Sequence, residues 1–321
     1  MQIFKNPSFD FIKWKWHAFV LSMLVLVVGL ASVVMKGGLP LGIDFSGGTI
    51  VVVRFAQDVG EEAVRRSLES VPAEKIVQQY GDAAENTLMI RLPQMVGDEE
   101  GNNLEQGANA VIAALEESGF GEFEVIGAEM VGPVIGAELQ RKGIYATLAS
   151  LLGIMVYIGF RFQFSFALGA VVAALHDILV TVAFLTFFGY ELSLNVVAGL
   201  LTITGYSVND TIVVFDRVRE NFRSMRRDSL GQVINRSVNQ TLNRTVITSV
   251  TTVLAVLSLL LYGGEVLNSF AFTMLAGIIS GTYSTVFIAA PVAILLSDRK
   301  QKARSTLPLK TRKPGRKVQV S

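Results

Sequence analysis

Asp210 occupies the position in this 321-residue chain that most strongly suggests chemistry. It lies in an apolar stretch, five residues before the last apolar residue of that stretch, Phe215. At ~1.5 Å per helical residue, its carboxylate would lie roughly 7–8 Å inside the hydrocarbon edge of a membrane. A charge at that depth costs several kcal/mol and therefore needs a partner, a water-filled cavity or a proton. The alternative is an acid at a helix end that snorkels to the surface or only holds helices together.

A basic residue, Arg244, stands at the start of the next apolar stretch, at the depth that matches Asp210. Two antiparallel helices could bring the two together as an ion pair, and a buried acid near an arginine is a proton site. From Arg244 one helical face continues through Thr248, Thr251 and Thr252. These hydroxyls either line a stripe that water can wet or bond their own backbone.

A second titratable pair, His176 and Asp177, lies in the middle of the apolar stretch 164–188. An ionisable residue inside a membrane segment is by default a candidate for function. The pair either carries protons or only packs helices together, and the sequence leaves both interpretations open. For Asn209, which precedes Asp210, and for Thr248, the sequence likewise leaves open whether they belong to a proton path or only pack helices together.

The composition is that of an integral membrane protein with one polar insertion. The chain is 51% hydrophobic and only 17% charged, and its mean hydropathy is +0.48. The net charge of +1 conceals an asymmetry, because residues 37–140 contain 18 acids against 5 Lys/Arg, whereas residues 297–321 contain 9 Lys/Arg and 1 acid. The chain has no cysteine, which excludes disulfides and thiolate metal sites.

Six apolar stretches predict six transmembrane helices: residues 18–35, 143–160, 164–188, 194–215, 246–262 and 270–296. A cleaved signal peptide usually has a shorter apolar core and a small-x-small cleavage site, so we expect the first helix to be retained. The predicted domains are an N-terminus, helix 1, an outer domain with linkers, helices 2 to 6 and a basic tail: residues 1–17, 18–35, 36–135, 136–296 and 297–321.

Residues 49–130 predict the outer domain, an α+β insertion with the element order β-α-β-β-α-β. That order is the ferredoxin-like, or split βαβ, pattern. Just before it, the glycines of GGLPLGIDFSGGT forbid a regular helix. Within this segment Gly42, Asp44, Gly47 and Gly48 are either a ligand site or a turn that lets backbones pack closely, and we favour the turn.

The distribution of Lys and Arg predicts the orientation. They concentrate on one side of the six predicted helices, in residues 1–17, at 161, in 216–244 and in 297–321, whereas the loops 189–193 and 263–268 contain none. By the positive-inside rule, both termini are cytoplasmic and the acidic insertion lies outside.

Five motifs occur in order along the chain: GIDFSGG at 42–48, GPVIGAEL at 132–139, LHD at 175–177, GYSVNDTIVVFDRVREN at 205–221 and NRTVITS at 243–249. With these motifs the chain resembles the SecD/SecF family of bacterial protein-export membrane proteins, part of the resistance-nodulation-division superfamily of proton-driven transporters. The resemblance implies a membrane all-α six-helix bundle, half of such a transporter, with the ferredoxin-like domain inserted. Gly132, Pro133 and Gly205 belong to its motifs as structural positions.

The resemblance also implies a function. It predicts a subunit of the bacterial cytoplasmic (inner) membrane that pairs with a SecD-like six-helix partner. With the SecYEG channel, the pair would use the proton gradient to promote late steps in the export of a translocating preprotein. The family's proton-path acid and arginine correspond to Asp210 and Arg244.

Two other functions are possible. One is a proton-coupled half-transporter that exports a small molecule or lipid, although a single outer domain of this size is small for substrate binding. The other is an intramembrane protease whose dyad is Asp177 and Asp210, but the flanking residues are His-Asp and Asn-Asp rather than the Tyr-Asp and Gly-x-Gly-Asp of that class. The chain lacks a G-x-x-x-x-G-K-[ST] phosphate loop. We therefore expect no ATP hydrolysis by this chain. The family resemblance favours a transport subunit rather than an enzyme, and we expect no cofactor, metal or nucleic acid.

Overall fold

The computed structural model describes residues 7–71, 75–93, 104–162, 164–225 and 227–305. Six helices within these ranges are long and apolar enough to cross a membrane. They are α1 (Lys15–Met35), α5 (Pro133–Arg161), α6 (Phe164–Phe188), α7 (Leu194–Ser224), α8 (Leu230–Tyr262), and α9 (Gly264–Ser284), which continues through a π-helical turn (Thr285–Ala289) into α10 (Ala290–Ser305). The chain is a helical, multi-pass membrane protein. Most of the predicted basic tail, residues 306–321, lies outside the described residues.

The region between the fourth and fifth membrane helices, residues 216–244, is rich in charged residues but mostly helical. Its described residues are helical except at 225 and 227–229, because α7 extends past the apolar stretch and α8 begins early. Ser229 and Gln232 form a capping box that starts α8. Val218 and Val233 are fully buried against the bundle. Apolar residues at helical spacing among the charged ones therefore make this region a helical hairpin.

α7 and α9 pack closely in the centre of the bundle, and glycines allow the approach. A Cβ atom on Gly277 would lie 2.1 Å from Cδ1 of Ile203, and one on Gly281 would lie 2.8 Å from Cβ of Ser207. Such small residues are the usual means of close helix packing in membranes. Gly205 of α7 does not lie at such a close helix contact, since nothing lies within 4 Å of its Cβ position. It faces away from the bundle.

The polar insertion folds into a four-stranded antiparallel sheet with two helices. Its elements are β1 (Gly48–Phe55), α3 (Glu61–Ser67), β2 (Ile76–Gln79), β3 (Thr87–Pro93), α4 (Leu104–Glu117) and β4 (Phe123–Val131). The strand order is β2-β3-β1-β4. β1 is central because alternate residues, Val51, Val53 and Phe55, are at most 2% exposed. Its register pairs Val51 with Ile90 of β3 and with Ala128 of β4.

The outer domain has its own core, so we expect residues 48–130 to fold as an isolated fragment. The buried apolar cluster that joins the sheet to α3 and α4 lies entirely between Val51 and Leu115. The measurement is circular dichroism of the fragment with thermal melting, and the expected result is a mixed α/β spectrum with one cooperative transition. A disordered spectrum without a transition would count against an independent domain.

A short junction connects α1 to the sheet and contacts the loop before α7. Its backbone pairs with that loop through hydrogen bonds of 2.7 Å from Gly42 N to Leu192 O and from Leu192 N to Pro40 O. A four-residue helix, α2 (Ile43–Ser46), follows. Gly47 and Gly48 then turn the chain into β1 with φ values of +73° and +131°, which residues with a Cβ rarely adopt. The segment for which the sequence predicted no regular helix thus contains one helical turn, Ile43–Ser46, followed by a backbone turn at Gly47 and Gly48.

Two charged side chains fasten this junction. Asp44 Oδ2 accepts a hydrogen bond of 2.8 Å from Leu194 N, the first residue of α7. Arg91 of β3 is 5% exposed and forms an ion pair with Glu191. Arg91 also donates to Leu41 O at 2.7 Å. The sheet and the start of α7 are thus joined by polar contacts rather than by a flexible linker.

Candidate functional site

Asp210 lies in α7 and is 8% exposed. Its Oδ1 accepts a hydrogen bond of 2.9 Å from Thr245 Oγ1 of α8. Its Oδ2 is buried and has no hydrogen-bond partner among the described residues. A buried polar atom without a partner costs about 1–3 kcal/mol, and more when it is charged. Water or a bound proton would relieve that cost, so one oxygen of this carboxylate is held and the other remains available.

A cavity of about 210 Å³ adjoins Asp210. Every residue that lines it carries a polar group, namely Tyr206, Asn209, Asp210, Thr248, Thr251 and Thr252. Because a water occupies ~30 Å³ of liquid volume and needs two to four polar partners, this cavity can hold several. The hydroxyl of Tyr206 is buried and, like Asp210 Oδ2, has no partner among the residues described.

The threonine stripe combines the two interpretations that the sequence left open. Thr248, Thr251 and Thr252 each donate to a carbonyl one turn back on α8, at distances of 2.8–3.0 Å. Each hydroxyl oxygen still has lone pairs that can accept from water. The stripe therefore both satisfies its own protons and lines the cavity.

The predicted ion pair between Asp210 and Arg244 does not form. None of the ion pairs in the described part of the chain contains Arg244, and Thr245 is the residue of α8 that bonds the carboxylate. Consecutive residues point about 100° apart around a helix, and here Thr245 is buried while Arg244 is exposed. Arg244 directly precedes Thr245 on α8, so the two residues of the predicted pair lie on neighbouring helices without bonding each other.

Asp177 presents the opposite situation, because both of its oxygens are fully bonded. It lies in α6 and is 0% exposed. Oδ2 accepts from Ser207 Oγ at 2.6 Å and from Ser284 Oγ at 2.7 Å. Oδ1 accepts from Ser280 Oγ at 2.7 Å and contacts His176 Nδ1 at 3.2 Å. The carboxylate thereby joins α6 to α7 and α9.

His176 extends this network to α1. Its Nε2 lies 3.0 Å from Ser22 Oγ, which lies 3.1 Å from the hydroxyl of Tyr283. Tyr283 donates its proton to Ala18 O. Through Ser22, His176, Asp177, Ser207 and Tyr283, the network joins the four helices α1, α6, α7 and α9.

The sequence located the pair His176 and Asp177 but not their partners. Ser280 and Ser284 are four residues apart on α9, a spacing that signals one polar face. Ser207 shares one face of α7 with Thr204 and Thr211, which is the same kind of signal, whereas Ser22 has no hydroxyl neighbour within a turn on α1 and gave none. The network also separates the two acids, because Asp177 and Asp210 are held by different hydroxyls and do not share a proton as a protease dyad would.

Comparisons with known proteins agree with the motifs. The family model described as protein export membrane protein SecD/SecF, C-terminal, matches residues 110–299, and the SecD/SecF GG motif matches residues 34–59. The protein translocase subunit SecF of Escherichia coli O157:H7 is 38% identical over 91% of this chain and 89% of its own. That of Rhodothermus marinus is 40% identical over 93% and 96% of the two chains.

The chain belongs to the SecF family. Among solved structures, it is similar to the crystal structure of SecDF, a translocon-associated membrane protein from Thermus thermophilus, with a TM-score of 0.78 and 34% identity. The similarity covers 92% of this chain but 39% of that SecDF chain. A second structure, SecDF in its super-membrane-facing form, gives a TM-score of 0.68. The SecF-family match includes the junction and the helices that carry Asp177, Asp210 and Arg244.

Proposed function

We propose that this chain is a proton-motive-force-driven accessory subunit of the Sec preprotein translocase. It pairs with a SecD-like partner and promotes late steps of export across the cytoplasmic membrane. The observation that carries the proposal is the free Oδ2 of Asp210, buried in a membrane helix beside a polar cavity. The chain belongs to a family of protein translocase subunits, so the process that such a proton site would drive is protein translocation.

The proposed cycle begins when a proton reaches Asp210 through water in the cavity. Protonation neutralises the buried charge, and the new O–H of Oδ2 can donate to a water in the cavity, which lowers the cost of its missing partner. It also removes the negative charge that attracts Arg244. The contact between α7 and α8 then weakens, the helices shift, and the outer domain moves with them to hold or release an emerging preprotein. The gradient supplies ~2.3 kcal/mol per charge per 100 mV.

The exposed face of α7 supports the proposal that a SecD-like partner packs against this chain. Its exposed positions in the membrane carry small or polar residues at helical spacing, namely Asn195, Ala198, Thr202, Gly205 and Asn209. Lipid tails give such a face no hydrogen bonds, whereas another helix can pack closely against it. Asn209 also lines the cavity, so a partner on this face would close the site and complete its walls.

The fold supports the same assignment. The strand order β2-β3-β1-β4 with the sequence β-α-β-β-α-β is that of a ferredoxin-like domain. A chain that covers 39% of SecDF with six membrane helices suits one half of a resistance-nodulation-division transporter. SecYEG and the preprotein are the remaining partners in this proposal.

Copurification tests the proposal against its main alternative, a half-transporter for a small molecule or lipid. The chain is purified with a mild detergent from native membranes, and the accompanying proteins are identified by mass spectrometry. The proposal predicts recovery of a SecD-like six-helix protein. Recovery of the chain without one, together with a bound small molecule, would favour the alternative.

The proposed orientation places both termini in the cytoplasm and the outer domain on the opposite side. Because the natural chain has no cysteine, single cysteines can report it without background. We expect Glu105→Cys to react with a membrane-impermeant thiol reagent in intact cells and Ser305→Cys to be protected. Labelling at 305 but not at 105 would reverse the orientation.

A further inference from the structure

A second cavity lies on the membrane-facing side of the bundle, between α1, α6 and α10. Its volume is about 510 Å³, and most of its wall is apolar. Phe19, Leu179 and Leu295, one from each helix, are 46%, 48% and 56% exposed. We call this cavity the lateral crevice. It does not include Asp210 or its polar cavity.

The crevice follows α1 from Lys15 to Leu26, a distance of ~16 Å at 1.5 Å per residue. This is about half of the ~30 Å hydrocarbon core of a membrane, which is the depth of one leaflet. Its dimensions suit a single flexible hydrocarbon chain.

The polar groups of the crevice are concentrated at one end. Ser22 and His176 also reach its wall, but they bond each other. Lys15 is different, since no ion pair within the described ranges contains it. Trp16 stands beside it, at the level where tryptophan favours the membrane interface. α10 extends the same end beyond the crevice, and its sequence carries four Lys/Arg over residues 299–304.

We propose that the lateral crevice binds one acyl chain of an anionic phospholipid whose phosphate pairs with Lys15. The apolar wall accommodates the chain, and the positive charge at one end selects the headgroup. Basic residues at a membrane surface attract anionic lipid, and basic pockets between membrane helices bind such headgroups. The bound chain also covers the side of His176 that faces the crevice. This inference does not depend on the function proposed above.

Tryptophan fluorescence tests the site directly, because the chain contains only Trp14 and Trp16. Trp14→Phe leaves Trp16, which lines the crevice, as the reporter. The full chain is reconstituted into phosphatidylcholine vesicles, and phosphatidylglycerol with brominated acyl chains is titrated in. We expect half-maximal quenching at about a fivefold lower mole fraction than with brominated phosphatidylcholine, which corresponds to about 1 kcal/mol for one lysine.

Three variants separate a site from diffuse attraction. Lys15→Gln should reduce the fivefold preference to about one, whereas Lys13→Gln, an exposed lysine outside the crevice, should leave it nearly unchanged. With Trp16→Phe, the remaining Trp14 should show little preference. Equal effects of Lys13→Gln and Lys15→Gln would overturn the proposal in favour of general surface charge. Equal quenching by both lipids, or none, would overturn it in favour of unselective lipid or of a protein occupant.

Discussion

Asp210→Asn is expected to abolish gradient-driven export while the protein remains inserted, abundant and in complex. The amide keeps the shape of the side chain and can retain the bond from Thr245. It also removes a buried charge, and its two N–H groups replace the oxygen that lacks a partner. What it cannot do is take up and release a proton. If Asp210 served the fold alone, the same substitution would be mild.

The measurement is export of a slowly translocated preprotein into membrane vesicles, with and without a proton gradient, at matched protein level. Asp216→Asn is the matched control, since it makes the same change six residues later on α7. Asp216 is an exposed acid that pairs with Arg161, and such pairs contribute at most about 1 kcal/mol. Normal gradient-dependent export by Asp210→Asn would remove Asp210 from the proton path and leave it as a structural acid.

Arg244 is tested in the same assay. Arg244→Lys keeps the charge but loses the planar guanidinium, and a desolvated lysine can lose its proton. We expect partial impairment, less complete than with Arg244→Met. Because Arg244 makes no ion pair with Asp210, Arg244→Met should remove a positive charge near the site and leave the bond from Thr245 intact.

Asp177→Ala is expected to have the largest effect on stability, a loss of about 3–5 kcal/mol in the free energy of unfolding. The substitution leaves three serine hydroxyls and the histidine without their common acceptor in a site that is 0% exposed. Asp177→Asn should cost less, because it keeps the volume and one acceptor oxygen. Two of the four donors would then face an amide N–H₂ group rather than an oxygen.

Unfolding of the purified full chain in detergent, followed by tryptophan fluorescence, measures these losses. Ser258→Ala is the control, because that exposed hydroxyl of α8 only donates to Leu254 O. An unchanged unfolding free energy for Asp177→Ala would refute the structural role. If Asp177→Asn were as stable as the parent and still lost gradient-driven export, Asp177 would belong to the proton path instead.

The sequence predicted the elements of this protein better than their mutual orientation. Apolar length identified the six helices, and the short β-branched run TIVVVRF identified β1, since both follow from burial of single segments. The threonines after Arg244 predicted a wettable stripe, and that stripe lines the cavity beside Asp210. The rotation of α8 was not predictable in the same way, because it depends on which face packs against α7. The inward series Thr241, Thr245 and Ser249 was the available signal.

Contacts between distant segments account for the rest. Arg91 is an unremarkable strand residue in the sequence, and its partner Glu191 follows 100 residues later in a short loop. Ser207 and Ser284 likewise donate to the same oxygen, Asp177 Oδ2, only because the fold brings α6, α7 and α9 together. Propensity and periodicity describe neighbours along the chain, so they identify neither pairing.

The capping of α7 by Asp44 has a mechanical consequence. The helix begins at Leu194, bonded to the junction, and carries Asp210 sixteen residues later, which is ~24 Å along its axis. An unbroken α-helix resists compression and bending, so under the proposed function it would act as a lever arm with the carboxylate of Asp210 at one point and the base of the sheet at another. A tilt of α7 by a few degrees at Asp210 would therefore displace the outer domain, because the rigid helix would not bend to take up the movement. Lengthening or softening that arm would decouple proton uptake from movement even with every residue of the cavity intact.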